Sequence, residues 1–201
     1  MKIQKKQKNK FSLVQEYKKS FNYLRESKNF IFSIVALFFI FALIGFFVPL
    51  PEVLSKELIL MLKKLLGGLE GLSSFGMIKF IFLNNLQSSF AGLFLGLFFG
   101  IVPIIVTLVN GFILGFVARI AVNADGIFAL WKVFPHGIFE LPAVFISLGL
   151  GVKFGTFIFN KKIFESFKDY LWNSLRVFIL IVVPLLIISA IIEGSLISFF
   201  S

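Results

Sequence analysis

VFPHGIFELPAVFISLGLGV, residues Val133–Val152, decides how this chain is read. The stretch lies between Lys132 and Lys153, and as a helix it would extend about 30 Å, one hydrocarbon thickness. His136 and Glu140 are its only ionisable groups, and at a spacing of four they share a helix face. An acid at the centre of a membrane helix costs roughly 2.5–3.5 kcal/mol, so it turns toward a partner or a cavity. Pro135 and Pro142 flank the pair and each removes a backbone donor. A functional site is expected here before anywhere else in the chain.

Composition agrees with a membrane-spanning reading. Of the 201 residues, 58% are hydrophobic and 15% charged, whereas a soluble domain carries about 25% charged residues. With no cysteine there is no disulfide, thiolate ligand or cysteine nucleophile. One histidine excludes a multi-histidine metal centre within one subunit, and no cofactor is expected. The net charge of +10 is concentrated at the start, where residues 1–29 hold nine Lys/Arg and two acids. A basic stretch before a membrane helix has a topological explanation, so nucleic acid is not expected as a partner. The following run, FIFSIVALFFIFALIGFFVPLP, is too long for a 7–15-residue signal core.

The pattern predicts an all-α polytopic fold with about five transmembrane helices, broken or re-entrant segments and amphipathic interfacial helices. Residues 1–29 form a basic cytoplasmic segment and 30–201 a single helical transmembrane domain. Within the first, Val14, Tyr17, Phe21 and Leu24 recur at helical spacing over residues 11–28, opposite cations. That face suits an anionic cytoplasmic leaflet, or a helix packed on its own bundle. The first span is expected over Phe30–Leu50, then an interfacial helix and linker over 52–79. Residues 80–118 carry no charge and are too long for one span, so two spans with a turn are expected, with Pro103 or Asn110-Gly111 as breakpoints. The charges agree. Five spans with the N-terminus inside place fourteen of the twenty Lys/Arg on the cytoplasmic side, against eleven for four spans. An amphipathic loop over 153–176 and a short last span, Val177–Ile192, complete the set. The expected location is a plasma or inner membrane.

Gly92, Gly96 and Gly100 form a stripe at every fourth residue, which Gly111 and Gly115 continue. Lipid gives helices no hydrophobic drive to associate, so such stripes serve close packing, within one bundle or between copies. Asn110 lies deep in apolar sequence, where its amide needs partners. It is expected at a helix break or against His136 and Glu140. Asn84, Asn85 and Gln87 are expected near the outer interface. Three roles are open to His136 and Glu140: a structural lock, a proton or cation site, or an acid–base pair. The order HGIFE lacks the second histidine of a metalloprotease HExxH, and no G-x-S-x-G is present. No catalytic residue and no metal site is assigned.

PHGIFELPA, with NGFILG before it and YLRESKNFIF at the entry to the first span, resembles the stage II sporulation protein M family. The most specific part is H-G-x-x-E-x-P at His136, Gly137, Glu140 and Pro142. The resemblance implies five spans and a non-enzymatic membrane scaffold or anchor that organises partner proteins or lipid. The family's namesake helps peptidoglycan-degrading proteins at the septum during engulfment. Protein partners or a homo-oligomer follow from the same resemblance. The alternative is a small transporter or channel with a polar site at His136 and Glu140. A tightly packed cluster around Glu140 favours the scaffold. A polar cavity that reaches Glu140 favours the transporter.

Overall fold

The computed structural model describes residues 12–67 and 72–200, and within these the side chains of 65–66, 131–139 and 196–200 lie outside the description. The described residues form helices α1 (Leu13–Glu26), α2 (Lys28–Phe47), α3 (Glu52–Gly67), α4 (Ser74–Phe94), α5 (Ile101–Asp125), α6 (Leu130–Gly155), α7 (Ile163–Val177) and α8 (Val183–Phe200). There is no strand among them. Five helical stretches are long and apolar enough to cross a membrane: Lys28–Phe47, Ser74–Leu97, Ile101–Asp125, Glu140–Phe159 and Ile163–Ser195. The all-α, five-span expectation stands.

Helix α6 is the axis of the bundle and touches α2, α4, α5, α7 and α8. Its membrane-length window is 61% buried, against 17–33% for the other four. The most extensive interface joins α2 to α5, while α4 packs on α6 and α8. Two apolar clusters fill these contacts. One gathers Leu93, Ala143, Leu150, Val182 and Leu186, and the other gathers Ile34, Phe38, Phe145 and Leu148.

The spans end where local chemistry allows it. Ser73 starts α4 by accepting a hydrogen bond from the Gly76 amide at 3.2 Å. Gly126, at φ 77, closes α5. The break between the second and third spans lies at neither expected breakpoint. A short 3₁₀ turn, Leu95–Leu97, leads into Phe99 at φ 58 and Gly100 at φ 71, both left-handed. Pro103 sits in the first turn of α5, where its missing amide hydrogen leaves no helical bond unmade. Asn110 and Gly111 lie within the same continuous helix.

The last span also departs from expectation. Residues 163–177 form a helix, not a loop, and a π-helical turn at Phe178–Val182 joins it to α8 without interruption. The resulting continuous helical stretch, Ile163–Ser195, is 33 residues long, with its charged residues other than Glu193 gathered before Val177. Helices α1 and α7 pack on each other at the end of the bundle where α6 finishes. Ser20 and Tyr23 form the buried face of α1, while Leu13, Val14, Tyr17 and Phe21 are exposed. Arg176 of α7 donates to the Glu16 carboxylate, and Lys19 pairs with the same carboxylate at 2.6 Å.

Candidate functional site

Helices α4 and α5 meet at the 95–100 corner and touch little beyond it. Between them, with α6 and Phe38 of α2 behind, lies a cavity of about 400 Å³. Its polar lining comes from three helices: Asn84, Asn85, Ser88 and Ser89 on α4, Asn110 on α5 and Glu140 on α6. The pairs 84/88 and 85/89 are each one turn apart, so α4 presents four polar side chains to one face. Asn85 and Ser89 are buried, Glu140 is half-buried, and Asn84, Ser88 and Asn110 stand exposed at the mouth. Asn85 lies about 18 Å along the helix from Leu97, which puts the polar floor near mid-membrane.

Asn85 and Glu140 line the same cavity, and the Asn85 amide oxygen accepts from Asn84 at 3.4 Å. Glu193 of α8 is near enough for its charge to act on Glu140. Ser89 is 1% exposed, and its hydroxyl has no hydrogen-bond partner among the described residues. The structure thus brings Asn110 and Glu140 to one cavity. The helix around His136 is described, but its side chain lies outside the described residues, so the third member of the expected cluster has no stated place.

Asn84 and Asn85 are not interfacial, as the sequence reading had them. They sit halfway along α4. The i, i+4 recurrence of polar residues in NNLQSS was the signal available. Glu193 was read as the edge of the last span, and it faces inward instead.

The glycines hold the cavity walls. A Cβ on Gly96 would strike the Gly151 backbone of α6, with its carbonyl carbon at 2.5 Å and Cα at 2.6 Å. One on Gly92 would meet Leu148 at 2.6 Å, and one on Gly100 would meet Val152 at 3.0 Å. Gly111 and Gly115 lie against the backbone of α2, at Phe38 and Ala42. Gly45 of α2 answers them against Phe112, and Gly151 and Gly155 answer the α4 stripe from α6. These last three were not singled out in the sequence reading.

Lys153 was counted there as a charge of the loop. It is 7% exposed inside the fold. Its ammonium donates to Ser27 Oγ at 3.0 Å, lies 3.8 Å from the Tyr23 ring centroid and 3.8 Å from Glu26 Oε2. A cation over an aromatic face is attracted by the ring quadrupole. Lys153 therefore fastens the α1–α2 joint to the end of α6.

A family model described as Stage II sporulation protein M matches residues 34–196. No curated protein and no solved structure matches the chain.

Proposed function

Because the chain belongs to the stage II sporulation protein M family and carries five membrane-length helices, we propose that this multi-pass membrane protein binds a small polar solute within the bilayer, as a small transporter or channel does. The half-open cavity that reaches both Asn110 and Glu140 carries this reading. Ligand pockets of about 300–1,000 Å³ suit small molecules, and this one falls in that range. Exposed amides at membrane depth are costly unless something polar meets them. A purely structural lock would instead pack Glu140 and Asn110 with no space between.

The scaffold reading has its own support at the other end of the molecule. Val14, Tyr17 and Phe21 form an exposed apolar row on α1, beside Lys18 and Arg25. Such a row suits an anionic leaflet or a partner helix. The charge distribution supports a cytoplasmic position for that end and a plasma or inner membrane location.

Glu140→Gln and Glu140→Leu test the choice through thermal midpoint in detergent and complementation in the host cell. If the cavity binds solute, Gln keeps the side-chain shape and the fold, yet loses function. If the cluster is only a lock, Gln is silent in both assays. Leu destabilises under either reading, by roughly 1–3 kcal/mol for partners left unpaired. A stable Glu140→Gln protein that complements fully removes the solute reading.

A further inference from the structure

We propose that the ligand of this cavity is an ammonium group carried on an apolar body. The inference rests on the solute-binding reading above and narrows its ligand class. The cavity offers acceptors in the Glu140 carboxyl and the Ser89 hydroxyl inside and in the Asn110 amide oxygen at the mouth, and no described lysine or arginine lines it. Glu193 adds a second carboxyl to the local field. A carboxyl with no lysine or arginine lining the cavity beside it receives a cation in preference to an anion.

The Ser89 hydroxyl is the independent sign of a missing partner. It is 1% exposed, lines the cavity, and has no hydrogen-bond partner among the described residues. An unmet buried hydroxyl costs about 1–3 kcal/mol in a finished structure. A primary ammonium has three donors. Glu140 and Ser89 inside the cavity and the Asn110 amide oxygen at its mouth supply three acceptors.

Size and the apolar lining decide against a bare metal ion. Hard cations sit at about 2.0–2.6 Å from six or more oxygens, and this cavity of about 400 Å³ is far larger than such a cage. No group of three ligating His, Cys, Asp or Glu occurs among the described residues. The rest of the lining includes Phe38, Val106, Leu114, Val144 and Leu148, a surface for hydrocarbon beside the polar groups. The mouth lies between α4 and α5 at Asn84, Ser88 and Asn110, on the side where those helices part. An amine on an apolar body therefore reaches the floor sideways from the bilayer, either as a free amphiphilic amine or as the amine of a lipid headgroup.

The test uses the full-length protein in phosphatidylcholine nanodiscs and reads the thermal midpoint. Hexylamine should raise the midpoint, whereas hexan-1-ol and hexanoate, with the same body, should not. Glu140→Gln, checked first for an unchanged midpoint without probe, should weaken hexylamine about 10-fold or more, the loss of one charge-assisted contact. Ser89→Ala should weaken it by less and leave the fold intact. Phosphatidylethanolamine in the disc separates the two sources. If it raises the midpoint and competes with hexylamine, the source is lipid, and if it does neither, the source is the free amine. Equal shifts from hexylamine and hexan-1-ol overturn the ammonium class but leave the binding reading standing. No shift from any probe also overturns it, and complementation by Glu140→Gln then judges the binding reading separately.

Discussion

Replacing Gly96 by Ala adds one methyl group at the point where the α4–α5 corner rests on α6. That carbon would lie 2.5 Å from the Gly151 carbonyl carbon and 2.6 Å from its Cα. Ordinary contacts begin near 3.4 Å, and the Gly151 carbonyl oxygen lies nearer still, so the corner must retreat from α6 by about 1 Å or more. The obstacle is backbone, which cannot rotate aside as a side chain can. The retreat also loosens Gly92 on Leu148 and Gly155 on the Gly100 amide, because they share this interface. Overpacking of a tight contact costs about 1–3 kcal/mol for so small a group, and Gly96→Ile should cost more. For a chain of this length, that corresponds to a fall of about 2–12 °C in the thermal midpoint. The assay is loss of the monodisperse peak on heating in detergent. Leu95→Ile, at the neighbouring exposed position, is the volume-matched control and should change little. A Gly96→Ile midpoint equal to that of Leu95→Ile would refute the close approach of the corner to α6.

Lys153→Ala should destabilise the fold by about 1–3 kcal/mol and so lower the midpoint, because it removes both the hydrogen bond to Ser27 and the cation over Tyr23. Lys153→Met, which keeps the stem without the charge, should lie closer to wild type, since a weakly paired buried charge adds little net stability. An Ala variant as stable as wild type would refute the fastening. The Glu16 carboxyl is held below the usual carboxylate range by its hydrogen bond to Lys19 and by Arg176. A depressed folded value stabilises above the unfolded value of 4.5 and is lost as pH falls through the lower folded one. Protease sensitivity of α1 should therefore rise below about pH 4.5 in wild type and lose that dependence in Glu16→Gln. Unchanged pH dependence in the variant would refute it. Ser12→Cys and Ser166→Cys should share the same protection from an impermeant thiol reagent in intact cells, and Ser198→Cys should label. Labelling at 166 but not at 12 would sink the five-span topology.

The spans were legible because their apolar runs and charge asymmetry are long-range signals that tertiary packing does not erase. The corner at 95–100 was not, because GLFFG is as apolar as the helices on either side. Its turn is made by backbone at positive φ, with α6 close beneath. Pro103 misled as a breakpoint for a related reason: a proline in a first turn marks the start of a helix, not its failure. Lys153 was taken for the membrane edge, although charge marks an edge only when nothing inside the fold can receive it. Here Ser27 and Tyr23 can. At the site, Glu140 and Asn110 were visible as polar residues in apolar sequence. The α4 contribution was missed, because its polar residues were read by nearness to a presumed span end and not by their shared face. Glu193 was misread as an edge because the last span was ended at Ile192, whereas helix α8 runs on to Phe200.

The pairing of α2 with α5 has a consequence for biosynthesis. Helix α2 is the first membrane-length helix to leave the ribosome, and its main partner is completed 78 residues later, at Asp125. At 5–20 residues per second the wait is roughly 4–16 s. Helix α4 arrives in the interval, yet it is destined for α6 and α8. In water, a helix as apolar as α2 could not wait unpartnered. In lipid it can, because hydrocarbon tails are as apolar as its own side chains. Its notch at Gly45 stays open until Phe112 arrives to fill it. Assembly of this chain is therefore timed by translation through α5, and the bilayer itself holds the early helix in reserve.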